Sequence, residues 1–150
     1  MQVATWMTRQ VHTVKPKDSI QHARELMVAN RVNQLPVVAS GRLLGIITDR
    51  DLRDAFPSVF EAARQARHHN RPASDPASIE VETVMSERVI TIGPKDAVVE
   101  AARLMRRERI GAVPVVDGGH LVGIIARSDV LDAFVQLAEA GGSDRERPAP

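Results

Sequence analysis

The heptapeptide Gly-Ile-Ile-Thr-Asp-Arg-Asp at residues 45–51 indicates an internal repeat, because a similar heptapeptide, Gly-Ile-Ile-Ala-Arg-Ser-Asp, occurs 78 positions later at residues 123–129. The same offset aligns residues 3–56 with residues 81–134 without a gap, and 24 of these 54 pairs are identical. The chain is therefore a duplicated unit of about 54 residues. The two copies and the segment between them make up nearly all of the 150 residues.

Each copy begins with the same local pattern. A short extended piece at 11–14 or 89–92 runs into a proline, which favours extended geometry in the residue before it. Asp18 and Asp96 then occupy the expected N-cap position of a helix. Residues 18–21 also have the spacing of a capping box. The predicted buried faces of the two helices consist of Ile20, Ala23 and Met27 and of Val98, Ala101 and Met105.

Two strands and a second helix complete each copy. The strands are predicted at 35–38 and 43–47 in the first copy and at 113–116 and 121–125 in the second. Glycine-containing turns join them, Ser40-Gly41 and Gly118-Gly119. The second helices start near Asp51 and Asp129 and run past Phe56 and Phe134. The order is strand, helix, strand, strand, helix, twice.

The predicted fold class is α+β, with two tandem β-α-β-β-α repeats. A unit this small cannot bury both faces of its sheet alone, so the two copies are expected to pack sheet to sheet as a pseudo-twofold pair with two clefts between them. The predicted boundaries are 1–56 and 81–140 for the repeats, 57–80 for the connector and 141–150 for a disordered tail. Within the connector, 58–67 is expected to be helical and 71–78 to be a linker.

Composition excludes several classes of function. Twenty basic and nineteen acidic residues give a net charge of +1, and three Phe, one Trp and no Tyr leave few rings to stack on bases, so nucleic-acid binding is not expected. The absence of cysteine excludes disulfides and thiolate chemistry. No apolar run is long enough to span a membrane and no secretory signal is visible, so a cytoplasmic protein is predicted.

No catalytic or metal site is expected either. The five histidines are His12, His22, His68, His69 and His120. His68 and His69 are adjacent, and adjacent residues on a helix do not converge on one metal ion. No nucleophile with a base and no acidic dyad is visible. The arginines 103, 106, 107 and 109 alternate with apolar residues on one predicted helix, which favours a charged outer face or a dimer rim over a nucleic-acid patch.

The repeated pattern resembles a CBS domain. The motifs that carry the resemblance are Thr-Val-x-Pro at 13–16, Leu-Pro-Val-Val at 35–38 and the segment 45–52, and they cover about 108 residues over the two copies. Two copies in tandem resemble a CBS pair, or Bateman module. The opening Trp-Met-Thr at 6–8 and the layout are similar to free-standing bacterial CBS-pair proteins such as the acetoin-utilisation type.

This resemblance implies a regulatory, non-enzymatic module that binds an adenosine compound (AMP, ADP, ATP or S-adenosylmethionine) in the clefts between repeats and acts in energy or metabolite sensing. It implies no obligatory cofactor. It also implies a homodimer formed through the CBS helices and an unnamed protein under regulation. Two alternatives stay open: a dimeric interaction scaffold with vestigial clefts, and, with no catalytic residues to support it, an enzyme of acetoin or related metabolism.

Thr48 and Asp51 have two readings. The spacing alone favours a capping box, in which Asp51 bonds back to the backbone. The resemblance instead makes Asp51 the acid that binds ribose. In the second copy Ala126 replaces the hydroxyl while Asp129 stays, so the broken capping box favours a ribose role for Asp129. The missing hydroxyl predicts that the two sites are unequal and that phosphate binding is in doubt at the second. Ser128 lies two residues later, so its hydroxyl would have to approach the phosphate from a different direction.

The remaining candidate ligand-binding residues follow from the resemblance. Arg50 and Arg127 are candidates to neutralise phosphates, with simple solvation as the alternative. The resemblance implies that adenine lies against strand edges, and the alternative is that the same residues are plain core. Those edges contain Thr13, Val14, Gln34, Leu35 and Pro36 in the first copy and Thr91, Ile92, Ala112, Val113 and Pro114 in the second.

Overall fold

A computed structural model describes residues 1–55 and 75–141. In the first copy the helices are α1 (Val3–Trp6), α2 (Ile20–Asn30) and α3 (Asp49–Ala55), and the strands are β1 (Gln34–Ala39) and β2 (Arg42–Thr48). Two 3₁₀ turns follow, Pro76–Ser78 and Val81–Thr83. The second copy contains α4 (Val98–Glu108), β3 (Ala112–Asp117), β4 (His120–Ala126) and α5 (Arg127–Gly141). The mixed helix and strand class and the tandem repeat are confirmed.

The buried faces of the first helices are those the sequence predicts. Ile20, Ala23 and Met27 in α2 and Val98, Ala101 and Met105 in α4 are all at most 5% exposed. Each set belongs to its own hydrophobic cluster, which also contains strand residues of the same copy. The periodicity of apolar residues therefore orients both helices on their hairpins.

The predicted N-caps are wrong. The N-cap of α2 is Ser19, whose hydroxyl oxygen accepts the His22 N–H at 3.1 Å, and the N-cap of α4 is Ala97, which makes no side-chain cap. Asp18 and Asp96 close the preceding turns instead. Their carboxylates accept the N–H groups of Lys15 and Gly93, each at 2.8 Å. An aspartate that bonds a backbone group three residues before it stabilises a turn, and this local bond competes with helix capping.

Each pair of strands is an antiparallel hairpin, and each strand is one residue longer at either end than predicted. In the first, Gln34 lies opposite Thr48, and the register shifts between Val37 and Val38. The second repeats this pattern, with Ala112 opposite Ala126. The hairpin turns have positive φ at residues 40 and 41 and at residues 118 and 119, as the glycine-containing turns predict.

The predicted first strand of each copy is reduced to a single parallel bridge. Val14 donates to the Pro36 carbonyl at 3.1 Å and accepts the Val38 N–H at 2.9 Å. Ile92 bonds to residues 114 and 116 in the same way, at 3.1 and 2.9 Å. The pairing ends there because Pro16 and Pro94, two residues on, have no N–H to continue a ladder.

The chain forms two compact units that do not coincide with the contiguous sequence copies. One unit consists of Met1–Val11 and the residues from Ile90 on, and the other of His12–Val89. The first part of each copy, residues 3–11 or 81–89, thus belongs to the unit that contains the other copy's hairpin; we call these two stretches the lead-in segments. Backbone bonds hold these segments: Thr8 pairs with Ile124 at 2.8 and 2.9 Å, and Ser86 pairs with Ile46 at 2.9 Å in both directions.

The same two lead-in segments also anchor the first helices. Val81 donates to the Asp18 carbonyl at 2.8 Å in one unit, and Val3 donates to the Asp96 carbonyl at 2.8 Å in the other. Val3 and Val81 are fully buried. In the first of these units Lys17 also pairs with Glu80 at 3.1 Å and with Glu82 at 2.5 Å. The bond to Glu82 raises the pKa of Lys17 and lowers the pKa of Glu82.

Two glycines permit the close approach of these segments. A Cβ on Gly45 would lie 2.7 Å from the Met85 sulfur and 2.9 Å from the Ser86 carbonyl oxygen. A Cβ on Gly123 would lie 2.6 Å from the Met7 sulfur and 3.0 Å from the Thr8 carbonyl oxygen. Because a backbone oxygen, as well as a flexible methionine side chain, lies within 3.0 Å of each added Cβ, a side chain at either position would displace the segment itself.

Some expectations fall on residues outside the described ranges: the helix at 58–67, the continuation of α3 past Phe56 and the disordered tail at 141–150, of which only Gly141 is described, as the last residue of α5. The part of the predicted linker that is described, 75–78, is ordered. Asp75 caps its 3₁₀ turn by accepting the Ala77 N–H at 3.0 Å. The helix after the second hairpin continues past Phe134 to Gly141, as predicted.

We predict that Gly45→Ala and Gly123→Ala each lower the free energy of unfolding by about 1–3 kcal/mol, because the new methyl group overpacks a site bounded by backbone. Gly111→Ala is the matched control, since a Cβ there meets nothing within 4 Å. Urea denaturation followed by circular dichroism measures the three differences. Equal stabilities for the Gly45 and Gly111 variants would contradict the close approach.

Candidate ligand-binding site

The sequence-predicted site residues come together where each hairpin ends and the next helix begins. In one unit the Asp49 N–H donates to the Asn33 carbonyl at 2.8 Å, which places the start of α3 beside the start of β1. In the other the Arg127 N–H donates to the Gly111 carbonyl at 3.0 Å. Each unit therefore contains one full set of candidates from its own copy. Sequence reasoning missed Asn33 and Gly111, because a bond through a main-chain carbonyl leaves no mark on residue type.

Asp51 forms a complete capping box. Its Oδ2 accepts the Thr48 N–H at 2.8 Å, and its own N–H donates to the Thr48 hydroxyl oxygen at 3.2 Å. The structure thus confirms the capping interpretation of this pair. Asp51 is half-buried, and within residues 1–55 and 75–141 no donor bonds its other carboxylate oxygen. The cap therefore leaves part of the carboxylate able to accept further hydrogen bonds.

Asp129 keeps half of the box. Its Oδ2 accepts the Ala126 N–H at 2.7 Å, although residue 126 has no hydroxyl to accept a bond in return. The broken capping box was the reason to favour a ribose role for Asp129, and this bond weakens that reason, because the carboxylate accepts a backbone N–H without the hydroxyl. The presence of Asp129 is explained by capping alone and does not by itself favour ribose.

The residues expected to face adenine are mostly core. Val14 and Leu35 lie in one hydrophobic cluster, and Ile92 and Val113 lie in the other. Pro36 and Pro114 are also buried. Four of the candidates retain accessible surface: Thr13 and Thr91 are exposed, and Gln34 and Ala112 are half-buried. A ligand would thus meet the edges of these segments and not their buried side chains.

The candidate cations differ between the units. Arg50 is exposed, and no carboxylate in the described part of the chain pairs with it. The Arg127 guanidinium donates to the Ile110 carbonyl at 3.3 Å and lines a groove between α4 and α5. Ser128 is exposed beside it in sequence. Arg50 is therefore free to meet a ligand at its own strand end, whereas Arg127 is directed along the helix pair.

Two further observations concern the described residues only. They contain no group of three His, Cys, Asp or Glu side chains placed to hold a metal ion. His68 and His69 lie outside these residues. None of the helices described has the length and apolarity needed to cross a membrane.

We predict that the hydroxyl half of the capping box can be moved between copies. Ala126→Thr is expected to raise the free energy of unfolding by about 0.5–1 kcal/mol, and Thr48→Ala to lower it by a similar amount, because each changes one bond to a helix-start N–H. Thr48→Ser, which keeps the hydroxyl, is the control. Chemical denaturation measures these values, and loss of stability in both the Thr48→Ala and Thr48→Ser variants would contradict the role of the hydroxyl.

Comparison with known proteins supports the same reading of the chain. The family model for the CBS domain matches twice, at residues 3–58 and 81–136. A CBS domain-containing protein of Dictyostelium discoideum is 36% identical over 141 residues, with 89% of this chain and 90% of that protein covered. The CBS domain-containing protein YhcV of Bacillus subtilis is 36% identical over 137 residues, with 91% and 88% covered.

Solved structures agree in fold. AcuB from Vibrio cholerae is 28% identical with a TM-score of 0.73, and the match covers 97% of this chain and 98% of that one. CBSX2 from Arabidopsis thaliana, solved in complex with AMP, is 28% identical with a TM-score of 0.73 and coverage of 91% and 97%.

A third similar structure is that of the CBS domain pair of protein MJ0100, which contains adenosine compounds other than AMP. It was solved with 5′-methylthioadenosine and S-adenosylmethionine, and it is 27% identical with a TM-score of 0.68 and coverage of 91% and 98%. The two regions of the present chain that match the family model follow one another in tandem. The match to the two ligand-bound structures covers 97% and 98% of their chains. The chain therefore belongs to the CBS-domain family and contains a tandem CBS pair, a regulatory and non-catalytic module.

Proposed function

We propose that this chain binds an adenosine nucleotide at the strand ends capped by Asp51 and Asp129 and signals its presence by a change of conformation. The observation that carries the proposal is the position of these two carboxylates. Each is held by a backbone bond at the start of a helix, beside the strand edges that remain accessible. The similar modules solved with AMP or S-adenosylmethionine support the choice of ligand class.

The ribose is the part of the ligand that this arrangement suits best. An ionised carboxylate accepts about four hydrogen bonds, and the cap takes one of them from a described donor. The two hydroxyls of a ribose can donate to the remaining positions, and such bonds to a charged acceptor are among the stronger ones. Adenine would then lie against the edges at Thr13 and Gln34 or at Thr91 and Ala112, the residues of the adenine-facing set that retain accessible surface.

The two sites are expected to differ in their affinity for the phosphate group of the ligand. At the first, Thr48 has a hydroxyl and Arg50 is an unpaired cation. At the second, Ala126 has no hydroxyl, and Arg127 is bonded to Ile110. We therefore expect the phosphorylated ligand to bind more tightly at the first site. Ser128, which directly precedes Asp129, is its only sequence neighbour with a hydroxyl. That hydroxyl would have to replace the one that Thr48 provides at the first site.

Signalling requires that the ligand distinguish two states. A nucleotide that binds one conformation better shifts the population toward it, by no more than the difference in its affinity for the two. We propose that the module acts as a homodimer and that the shift is passed to a separate regulated protein. A second candidate function is a dimeric scaffold with unused sites. It is favoured by the capping bond of Asp129, which gives this residue a structural role without any ligand.

We predict that Asp51→Asn and Asp129→Asn each weaken nucleotide binding at their own site by about 1.5–3 kcal/mol, or roughly ten- to a hundredfold, because ribose loses bonds to a charged acceptor. Asparagine still caps a helix about as well as aspartate, so the fold is expected to be kept. Asp54→Asn and Asp132→Asn are matched controls, since these aspartates are exposed and occupy equivalent positions on the two following helices. Isothermal titration of nucleotide-stripped protein with AMP measures the affinities.

The outcomes separate the proposals. Wild-type protein that is folded but binds neither AMP nor S-adenosylmethionine would favour the scaffold. Unchanged affinity in both asparagine variants, with binding by the wild type, would contradict the assignment of the carboxylates and leave the ligand class in place. An affinity lost at one site alone would show which of the two sites is used.

A further inference from the structure

The same methionine contact occurs once in each compact unit. Met7 and Met85 are separated by the 78-residue offset, and each lies in a lead-in segment against a glycine of the second strand of a hairpin. A Cβ on Gly123 would lie 2.6 Å from the Met7 sulfur, and a Cβ on Gly45 would lie 2.7 Å from the Met85 sulfur. The thioether of each methionine is therefore part of the surface through which its lead-in segment packs on the hairpin.

The two methionines differ in exposure. Met7 is 8% exposed and belongs to the hydrophobic core of its unit. Met85 is half-buried and packs against the core of the other unit. Of the remaining three methionines, Met27 and Met105 are at most 5% exposed, and Met1 is 55% exposed. Met85 thus combines partial exposure with the close contact to glycine, whereas Met7 makes the same contact from a buried position.

Methionine is the oxidisable sulfur residue of this chain. The sequence contains five methionines and no cysteine, so a peroxide that reacts with sulfur meets thioethers alone. Oxidation converts a flexible apolar side chain into a polar sulfoxide and disrupts the packing around it. Methionine sulfoxide reductases reverse the reaction, so an accessible methionine can respond to an oxidant and then be restored.

A sulfoxide is a poor fit to the contact at Gly45. Its oxygen is a hydrogen-bond acceptor, and burying an acceptor without a donor costs free energy. The backbone atom that borders this contact is the Ser86 carbonyl oxygen, 2.9 Å from the position of a Cβ on Gly45, and a carbonyl oxygen is also an acceptor. We therefore expect the oxidised Met85 side chain to leave Gly45 for solvent.

The start of the same lead-in segment is held independently of Met85. The ion pairs of Lys17 and the backbone bond of the Val81 N–H, at 2.8 Å, anchor it there. Beyond Met85, the backbone hydrogen bonds that the structure describes between this segment and the β1–β2 hairpin are the two between Ser86 and Ile46, each 2.9 Å long. These two bonds adjoin the methionine in sequence, so its displacement is expected to break them and to spare the start of the segment.

We propose that Met85 is a site of reversible oxidation by a peroxide, and that its sulfoxide releases residues 85–89 from the β1–β2 hairpin. In this step the O–O bond of hydrogen peroxide breaks and an S=O bond forms. The thioether loses two electrons, and the second oxygen of the peroxide leaves as water. Because Met7 is protected by burial, one of the two lead-in segments responds and the other does not. This inference does not depend on nucleotide binding.

Limited treatment of the full chain with hydrogen peroxide tests the accessibility of this site. Peptide mass spectrometry measures the rate at which each methionine gains one oxygen atom. Met85 is expected to react at least about tenfold faster than Met7, because a buried sulfur reacts only when its segment opens. Equal rates for these two methionines would overturn the proposal.

Amide hydrogen exchange followed by NMR tests the release of the segment. The Ile46 and Ser86 amides are expected to exchange at least about tenfold faster after oxidation, whereas the Val81 amide keeps its rate. The equivalent bonds of the other unit, between Thr8 and Ile124, are the internal control and should not change. Treatment with methionine sulfoxide reductases should restore slow exchange. Unchanged exchange at Ile46 and Ser86, with the accessible methionine fully oxidised, would contradict the release.

Two variants assign the effect to Met85 and not to Met1, which is also exposed. Met85→Leu keeps an apolar side chain of similar volume without a sulfur, so its exchange rates are expected to be unaffected by peroxide. Met85→Gln places a polar side chain at the contact and is expected to reproduce the faster exchange without an oxidant. A peroxide response that persists in Met85→Leu, or slow exchange in Met85→Gln, would overturn the assignment. Reversal by the reductases uses the wild-type chain, so the test stays decisive where a substitution alters the fold.

Discussion

The bond from a carboxylate to the last N–H of a strand is the interaction on which the candidate site depends. Asp51 makes it to Thr48 and Asp129 makes it to Ala126, at 2.8 and 2.7 Å. It fixes the turn from strand to helix, and it holds one charged oxygen where the strand edges remain accessible. The structural role and the proposed binding role thus fall on the same side chain, which is why a variant that keeps the cap but loses the charge separates them.

The second constraint is the position of the two lead-in segments. Each is bonded to the second strand of the other copy's hairpin and packs against a glycine there, so neither compact unit coincides with one sequence copy. A bound ligand that contacts Thr13 or Thr91 therefore touches the chain just beyond such a segment.

Much of this could be predicted from the sequence, because the relevant signals lie in side chains. The 78-residue offset gives the repeat, and apolar periodicity gives the buried faces of α2 and α4. The N-caps were wrong because Asp18 and Asp96 bond a turn that a helix pattern does not include. The lead-in segments are held by main-chain hydrogen bonds, which residue types do not encode. Gly45 and Gly123, each matched by a methionine that repeats at the same offset, were the available signal.

The most direct measurement of the central claim is a crystal structure of the nucleotide-stripped protein with AMP at saturating concentration. We expect at least one ribose hydroxyl oxygen within about 2.6–3.0 Å of a free oxygen of Asp51, with the bond from the Thr48 N–H retained. AMP bound with its ribose away from both Asp51 and Asp129 would contradict the assignment, and so would empty strand ends under conditions in which solution titration shows binding.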